Sequence, residues 1–502
     1  MQCSKKYACE HLGDVLVLGL GKSGKSVARY MVELLGDRVD SVFVAAGGRS
    51  ADSEAFVGEI AREGVECAFG DDALASVERH FDLCIASPGI PFWHELYVDG
   101  ARLSDELISE VEFAWRESAA SSVWVAITGT NGKTTTTSLA AHVLKGCGFA
   151  AAAVGNIGDV CLDAVASGAI DVYVAEVSSY QLESTRLFAP DVAVLLNITP
   201  DHIHWHRTLE AYRDAKFKVL RSLESGDEAP ASADNPRCTA ILDATNDVVR
   251  AKVRELKARG ANYIPLGTAD GFNGDMRARC GAANAGFIGV GGVLTVAYGG
   301  TEHVLLPASD LKIKGEHNAS NALAAAAVAV VLGAQDADIA RALASFQPLE
   351  HRIEPCEIVA GVECYNDSKA TNVDATCKAL GAFPGKRLAV LLGGDDKGTD
   401  LDELIACVHD HAAVAVCFGA AGPRFFTAFE QARDAAPADF SLLRANHLED
   451  ALDVALRQVK PGEVVLLSPA CASFDEFTSF EQRGDVFKRL VAERARNAET
   501  QE

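Results

Sequence analysis

The sequence lacks the features that mark secreted and membrane-bound proteins. Among its 14 cysteines no two form a Cys-x-x-Cys pair. The apolar run at residues 15–20 is too short for a signal peptide and leads into a glycine turn. We therefore expect reduced thiols and a cytoplasmic protein. The longest apolar helix candidate, residues 322–332, is too short to cross a bilayer, so no membrane partner is expected.

Positive charge is also scarce. The chain has 46 Lys and Arg against 70 Asp and Glu, which gives a net charge of −24. This charge disfavours nucleic acid as a partner. Small anionic substrates remain compatible with it, because a few lysines and a bound Mg²⁺ can reverse the sign locally.

A third absence concerns a carboxylate. The turn Gly19-Leu20-Gly21-Lys22-Ser23-Gly24 follows an apolar strand and precedes a helical pattern, as in dinucleotide-binding folds. Folds that bind NAD carry an acid about 20 residues further on, at the end of the second strand. Here the second strand runs into Ala45 and Ala46. The turn therefore predicts a diphosphate ligand other than NAD, and the loop Ser87-Pro88-Gly89 is expected at the same edge of the sheet.

Residues 127–136, hereafter the phosphate loop, read Ile-Thr-Gly-Thr-Asn-Gly-Lys-Thr-Thr-Thr between an apolar strand and a helical pattern. Backbone N–H groups and the helix N-terminus would face a phosphate, Lys133 would add a charge, and the Thr134 hydroxyl would ligate Mg²⁺. The first glycine of the usual pattern is absent, and Ile127 occupies its place. The loop is therefore a shortened variant.

Two further polar groups follow predicted strands. Glu176 ends the apolar stretch 171–176, and an acid at a neighbouring strand end commonly helps to hold Mg²⁺. His202 follows the stretch 192–196, with His204 and His206 beyond it. A zinc site is disfavoured here, because no cysteine or fourth ligand lies nearby in the sequence.

Position 216 breaks the apolar register of a predicted helix over residues 209–223, because it is a lysine. One interpretation is that its stem runs along the surface and its amine reaches solvent. The other is that burial lowers the amine's pKa, so that the neutral group can be modified or can react.

Three loops in the last third of the chain follow predicted strands and carry lysines and hydroxyls. They are residues 366–372, 393–398 and 468–473. In an open parallel sheet such loops meet at one edge, where ligands bind, and their side chains suit a carboxylate or a phosphate. Cys471 is not expected to be a nucleophile, because nothing in the sequence marks a base for it.

The length of 502 residues predicts about three domains, all of the α/β class. Residues 1–104 predict a Rossmann-like domain. Residues 105–347 predict a central P-loop ATPase-like domain, in which residues 224–315 would form a small antiparallel layer. Residues 348–502 predict a second Rossmann-like domain.

These residues resemble the Mur ligases, the ATP-dependent amide-forming enzymes of peptidoglycan synthesis, over nearly the whole chain. The family-wide motifs are residues 129–134, Glu176, Asp201-His202, Lys216, residues 317–321 and His351-Arg352. More specific motifs point to the member that adds D-glutamate. They are residues 155–158, 176–183, 366–372, 393–397 and 468–484.

The resemblance implies a role for each matching residue. The catalytic set would be Lys133, Glu176, His202 and Lys216. ATP would contact Gly129, Thr130, Asn131, Gly132, Lys133, Thr134, Thr135, Asn321, Arg352, Asp367 and Lys369. Mg²⁺ would be held by Thr134, Glu176, His202 and Lys216, the last as a carbamate formed with CO₂. The substrates would contact Lys22, Ser23, Ser87, Pro88, Gly89, Asn156, Ser178, Gln181, Thr371, Lys397, Ser473, Phe474 and Phe480.

The resemblance also implies a reaction. ATP would convert the L-alanyl carboxylate of UDP-N-acetylmuramoyl-L-alanine into an acyl phosphate, which the amine of D-glutamate would attack. Domain closure would exclude water, and a monomer is expected. Family members carry an acid for the uracil at the second strand's end. Because Ala45 and Ala46 depart from this, Arg49 and Asp52 are the candidates to replace it.

Three other functions are compatible with parts of the pattern. A ligase of the same fold could add lysine, diaminopimelate or further glutamates. An NAD-dependent oxidoreductase would use the first glycine turn, although the missing acid and the phosphate loop argue against it. A non-catalytic protein regulated by nucleotide would bind ATP without forming ADP in response to an amino acid.

Overall fold

The computed structural model describes residues 6–224, 238–267, 283–396, 398–435 and 440–499. The chain divides into two compact units. The first unit comprises residues 1–308 and 320–344, and the second comprises residues 309–319 and 345–502. The three domain ranges predicted from the sequence stay predictions, and Lys397 lies outside the described residues.

The first unit opens with a parallel sheet in the order β3-β2-β1-β4-β5. Its strands are β1 (Gly13–Leu18), β2 (Val39–Ala46), β3 (Glu66–Phe69), β4 (Phe81–Ala86) and β5 (Ser104–Ser109). Its helices are α1 (Lys22–Glu33), α2 (Ala51–Ile60), α3 (Glu95–Arg102) and α4 (Glu110–Glu117). The strand order reverses between β1 and β4, so the loops that follow these two strands flank the crevice in which such sheets bind ligands. The sheet continues through β5, past the predicted boundary at residue 104.

A larger sheet of the same unit has the order β14-β13-β12-β11-β10-β9-β6-β8-β7. Its strands are β6 (Val123–Thr128), β7 (Ala151–Gly155), β8 (Val172–Glu176), β9 (Val192–Leu195), β10 (Thr239–Asp243), β11 (Tyr263–Gly267), β12 (Ala285–Ile288), β13 (Val293–Tyr298) and β14 (Thr301–Pro307). The accompanying helices are α5 (Lys133–Gly146), α6 (Cys161–Ser167), α7 (Ser179–Glu183), α8 (Ile203–His206), α9 (Leu209–Phe217), α10 (Arg221–Glu224) and α11 (Asp247–Ala258). Because β6 lies between β8 and β9, the segments that follow these three strands meet at one edge.

The predicted antiparallel layer is only partly present. β13 pairs antiparallel with β12 and with β14, but β10 and β11 are parallel strands that extend the sheet from β9. The physical reason is that β10 and β11 are apolar on both faces and almost wholly buried, as parallel strands require, and α11 provides the crossover between them.

Two helices lead towards the end of the chain, α12 (Glu316–Val331) and α13 (Asp336–Ser345). The sheet of the second unit has the order β15-β16-β20-β17-β18-β19, parallel except for β15. Its strands are β15 (Glu354–Pro355), β16 (Glu363–Asn366), β17 (Leu388–Gly393), β18 (Val414–Phe418), β19 (Ser441–Arg444) and β20 (Val464–Leu467). Its helices are α14 (Val373–Leu380), α15 (Asp402–His411), α16 (Gly422–Ala435), α17 (Leu448–Leu456) and α18 (Phe480–Glu499).

The three strands predicted before these loops are present as β16, β17 and β20, which are neighbours in the sheet, so the three loops follow adjacent strands. Among the residues described, no helix combines the length and the apolar character that crossing a bilayer requires.

Candidate active site

The phosphate loop joins β6 to α5 and is held from the neighbouring strand end. The Thr130 N–H donates to the Asn197 carbonyl (2.8 Å), and the Asn131 N–H donates to Asn197 Oδ1 (2.8 Å). Asn197 Nδ2 donates in return to the Asn131 carbonyl (3.0 Å). The first turn of α5 has N–H groups that no helical carbonyl can satisfy. A fixed loop ahead of such a turn is the arrangement that binds phosphate.

The polar side chains of this loop lie at the start of α5. Lys133 is the first residue of α5, and its Nζ donates to the Thr130 carbonyl at 2.7 Å. Thr134 and Thr135 follow in the same helical turn. The Thr136 hydroxyl donates to Asn321 Oδ1 at 3.1 Å, so Asn321 of α12 lies against the loop. Within the first unit the structure thus brings together the residues that were predicted for ATP.

Gly132 must be glycine for two reasons. Its φ of 84° lies in the left-handed region, and a Cβ there would stand 2.6 Å from Asn321 Oδ1. The backbone alone would cost an L-residue about 1–2 kcal/mol. The contact would also displace Asn321 from the loop.

We expect Gly132→Ala to lower nucleotide affinity at least about tenfold, because it displaces Asn321 and tilts the loop. Gly148→Ala is the matched control, since Gly148 has a φ of 90° but open space around it, with no atom within 4 Å of the point where a Cβ would stand. Urea unfolding should show a loss of about 1–2 kcal/mol in the control from backbone strain and a larger loss in Gly132→Ala. Calorimetry should show weakened nucleotide binding only in Gly132→Ala. Equal nucleotide affinity in the two variants would contradict the role of this contact.

Glu176 ends β8 beside the phosphate loop and is only 1% exposed. Its Oε1 accepts a hydrogen bond from Asn156 Nδ2 at 2.8 Å. Its Oε2 is buried and has no hydrogen-bond partner among the described residues. An unpartnered carboxylate oxygen is costly to bury unless a cation meets it. The residues present therefore fit a bound Mg²⁺ at this position.

Lys216 lies on α9 and is 1% exposed, so the interpretation that its amine reaches solvent is wrong. Its Nζ donates to the Gly129 carbonyl at 2.7 Å and stands 4.7 Å from the centre of the Tyr212 ring. Among the described residues it has no carboxylate within ion-pair distance. Burial, and then the charge of Lys133, lowers the pKa of Lys216 well below its usual value. The lowered pKa increases the fraction of neutral amine at the phosphate loop, and the neutral form is the one that CO₂ modifies.

His202 precedes α8 with a φ of 53°, in the left-handed region. Its Nδ1 is 2.7 Å from the Tyr180 hydroxyl, whereas the neighbouring His206 meets the Ser179 hydroxyl at 2.9 Å. Burial lowers the pKa of His206 to about 4, so its ring is neutral. The histidines thus have different partners. Among the described residues no three His, Cys, Asp or Glu side chains converge on a metal position, so a cation here would also need Thr134 and phosphate oxygens.

The two N-terminal loops predicted to bind a diphosphate lie against each other. A Cβ at Gly19 (φ 87°) would stand 2.9 Å from Ser87 Oγ, and a Cβ at Gly24 would stand 1.9 Å from the Gly19 carbonyl oxygen. Ser87 Oγ is buried without a hydrogen-bond partner among the described residues. Lys22 and Ser23 open α1 at the same edge. The crevice therefore offers a hydroxyl and a helix start to an anion.

The candidates for holding the uracil already have partners. The Arg49 guanidinium lies 4.7 Å from the Phe69 ring centre and 3.6 Å from Glu54, and Asp52 pairs with Lys25.

Ser178 and Gln181 form the capping box of α7, with Gln181 Oε1 accepting from both the N–H and the hydroxyl of Ser178 (2.9 Å each). The substrate roles of these residues stay predictions.

In the second unit, Asp367 follows β16 and is buried. Its Oδ2 accepts from the Ser468 hydroxyl at 2.7 Å, and its Oδ1 accepts from the Ile353 N–H at 3.2 Å. Burial raises the pKa of Asp367 to about 7, although the Ser468 hydrogen bond and the positive charge of Arg352 oppose the shift. The Lys369 Nζ stands 3.6 Å from the Phe480 ring centre. The structure thus groups the residues of this unit that were predicted for ATP beside one predicted for D-glutamate.

The sequence reasoning missed the residue that fixes these loops, Arg483. Its side chain is fully buried and donates to the carbonyls of Ser368 (2.8 Å), Cys471 (3.0 Å) and Ala472 (2.9 Å). The only available signal was its place in the motif at residues 468–484. Of the other residues predicted for D-glutamate, Ser473 is buried and Phe474 is 70% exposed, while Thr371 lies in the loop after β16.

A parallel sheet with a glycine loop at a helix start, a neighbouring acid and a buried lysine defines an α/β enzyme that acts on nucleotide phosphates. Residues 127–329 match the family model of the Mur ligase middle domain, and residues 351–471 match that of the Mur ligase glutamate ligase domain. A UDP-N-acetylmuramoylalanine–D-glutamate ligase from Pelotomaculum thermopropionicum is 35% identical over 478 residues, 95% of this chain and 97% of that one. The chain therefore belongs to the Mur ligase family.

Solved structures of similar proteins support the fold. A pseudomurein peptide ligase type C from Methanothermus fervidus aligns with a TM-score of 0.54 at 17% identity, covering 96% of this chain and 99% of that one. A folylpolyglutamate synthase from Mycobacterium tuberculosis, solved with ADP and AMPPCP, aligns with a TM-score of 0.52 at 18% identity over 73% of this chain and 91% of that one. The α/β fold, the family and the ligase class predicted from the sequence are confirmed.

Proposed function

We propose that this chain joins D-glutamate to UDP-N-acetylmuramoyl-L-alanine in a reaction that uses ATP and Mg²⁺. The proposal rests on the groups that meet at one edge of the large sheet. These groups are the phosphate loop, the Glu176 carboxylate oxygen that has no partner among the described residues, and the buried amine of Lys216. The relative that is 35% identical is named UDP-N-acetylmuramoylalanine–D-glutamate ligase. We further propose a cytoplasmic monomer that supplies peptidoglycan precursors and so contributes to cell shape and division.

The reaction has two chemical steps. An oxygen of the L-alanyl carboxylate attacks the γ-phosphorus of ATP, the bond to the β-phosphate oxygen breaks, and ADP leaves. The amine of D-glutamate then attacks the carbonyl of the acyl phosphate. The amine nitrogen becomes positively charged as it attacks and then loses a proton to solvent, and the tetrahedral intermediate expels phosphate. The first step depends mainly on positioning and on neutralising charge.

Residues of the large sheet's edge would carry the first step. Lys133 binds the β- and γ-phosphates, and the N–H groups of the first turn of α5 orient them. Thr134 and Glu176 would hold one Mg²⁺, and His202 and a carbamate on Lys216 would hold a second. When bound, Mg²⁺ would supply positive charge against the phosphate oxygens. A carbamate would give the buried lysine side chain a negative charge, which suits a site for cations.

The remaining residues would bind the two substrates and the rest of ATP. The diphosphate of the sugar nucleotide lies between the turn with Lys22 and Ser23 and the loop with Ser87. Asn321 and Arg352 contact the nucleotide, together with Asp367 and Lys369. Thr371, Lys397, Ser473 and Phe474 hold D-glutamate, and Phe480 packs on it. Exclusion of water protects the acyl phosphate from hydrolysis.

The proposal is tested by phosphate release from the purified chain. The reaction contains ATP, Mg²⁺, UDP-N-acetylmuramoyl-L-alanine and one amino acid: D-glutamate, L-glutamate, L-lysine or diaminopimelate. We expect release only with D-glutamate, together with a product heavier by one glutamyl residue in mass spectrometry. Release with lysine or diaminopimelate would assign a different member of the family. Nucleotide binding without release for any amino acid would favour a non-catalytic protein.

A further inference from the structure

Both ring nitrogens of His202 lie close to a polar side chain, one to a hydroxyl and the other to a carboxylate. Nδ1 is 2.7 Å from the Tyr180 hydroxyl, and Nε2 is 3.5 Å from Asp201 Oδ2. The backbone is fixed as well, since the His202 N–H donates to Asp201 Oδ1 at 2.8 Å in a left-handed conformation. A non-glycine residue held in this conformation is typical of functional sites, where surrounding contacts impose the strain.

Tyr180 is itself held firmly by its surroundings. It lies on α7, whose first turn is closed by a capping box. Its ring is stacked with that of His206 (centres 5.8 Å apart, planes at 20°) and packs on Trp205 (4.6 Å) as well as on His202 (4.9 Å). Burial, and then the charge of Asp201, raises the pKa of Tyr180, so the phenol keeps its proton. The hydroxyl is therefore a fixed group that can either donate or accept.

With a single ring proton, His202 has two arrangements available at the same net charge. In the first, the Tyr180 hydroxyl donates to Nδ1, and the Nε2–H of His202 faces Asp201. In the second, the Nδ1–H donates to the Tyr180 oxygen, and Nε2 presents a lone pair. Only the second arrangement can meet a cation or the water bound to it.

We propose that Tyr180 is a positioning residue that sets the tautomer of His202. Without nucleotide it holds the first arrangement, because the phenol proton then has an acceptor and the Nε2–H meets a carboxylate. A cation beside Asp201 repels the Nε2–H and favours the second arrangement. One proton leaves Nε2 and one reaches Nδ1, so the net charge is unchanged, while the hydroxyl rotates from donor to acceptor. This rests on the proposed function, in that the site receives Mg²⁺ with ATP.

The test uses Tyr180→Phe, which keeps the packing of the ring and removes only the hydroxyl. The control is Tyr97→Phe, because the Tyr97 hydroxyl bonds to the Ser184 hydroxyl at 3.0 Å, away from His202. The full chain is labelled with ¹⁵N-histidine, and the ring signals of His202 are assigned with His202→Gln. Long-range ¹H–¹⁵N spectra are recorded without nucleotide and with Mg²⁺ and a methylene-bridged ATP analogue. Calorimetry then gives the Mg²⁺ dependence of analogue binding.

In the unmodified chain and in Tyr97→Phe we expect protonated Nε2 without nucleotide and protonated Nδ1 with the Mg²⁺ complex. In Tyr180→Phe we expect averaged ring signals and a Mg²⁺ requirement raised about tenfold, as for other groups that orient metal ligands. A tautomer that does not respond to the Mg²⁺ complex, or a Tyr180→Phe variant that matches Tyr97→Phe, would overturn the proposal. These measurements need no turnover, so an inactive D-glutamate assay beside the expected spectra would reject the proposed function and not the role of Tyr180.

Discussion

Replacing Lys133 with alanine is expected to lower the rate of ATP-dependent amide formation about a thousandfold or more. Lys133 is the first residue of α5, and its Nζ lies 2.7 Å from the Thr130 carbonyl of the phosphate loop. The reaction transfers the γ-phosphate, and charge on its oxygens grows as the bond to ADP breaks. Losing one well-placed donor from such a site commonly costs about 10²–10³ in rate, and here a full positive charge is lost with it.

The control for this prediction is Lys145→Ala, in the last turn of the same helix. Both variants should unfold at the same urea concentration as the unmodified chain, because the Lys133 amine is not part of the core. Phosphate release with D-glutamate should fall only in Lys133→Ala. Undiminished turnover in a folded Lys133→Ala chain would contradict the assignment of the phosphate loop.

Replacing Lys216 with alanine is expected to abolish activity almost as completely, for a different reason. The amine is buried against the Gly129 carbonyl, and burial lowers its pKa well below the usual value, which increases its neutral fraction. The direction of this pKa shift matters, because CO₂ combines with the neutral amine and not with the ammonium form. Alanine leaves a cavity without the negative group, and a small carboxylate that enters this cavity should restore part of the lost activity.

We therefore expect formate or acetate at millimolar concentration to raise the rate of Lys216→Ala several-fold and to leave Lys218→Ala unchanged. Lys218 is a suitable control because it lies two residues after Lys216 in the sequence, while its amine pairs with Glu183 at 2.9 Å. Native-state ¹³C spectra of the chain without substitutions, recorded in ¹³CO₂, should show one carbamate signal that is absent from Lys216→Ala. Absence of this signal from the active chain without substitutions would refute the carbamate.

The strands that position the site were predictable because they are buried on both faces. A parallel strand covered by helices has an uninterrupted apolar run, and such runs ended near Glu176, Leu195 and Leu467 as predicted. The antiparallel layer was predicted wrongly at β10 and β11, since short apolar runs do not show which strand they pair with. Pairing depends on α11, which packs on the strands and closes the crossover.

The site was predictable to the extent that its residues follow strands. Lys216 was recognised only as an exception to a helical register, and the sequence left its environment open until the structure showed a carbonyl partner and no route to solvent. Tyr180 and Arg483 were not predicted as site residues. Their effects depend on a hydroxyl meeting a ring nitrogen and on a guanidinium meeting three carbonyls, and such contacts across separate segments leave no periodic signal.

The central claim is that the phosphate loop presents the γ-phosphate of ATP to the carboxylate of the sugar nucleotide. The most direct test is to label both oxygens of that carboxylate with ¹⁸O and to measure the released phosphate by mass spectrometry during amide formation with D-glutamate. The account predicts one ¹⁸O atom in each phosphate released, because the carboxylate oxygen stays bonded to phosphorus when the amine displaces it. Phosphate without ¹⁸O, formed alongside the amide, would contradict it.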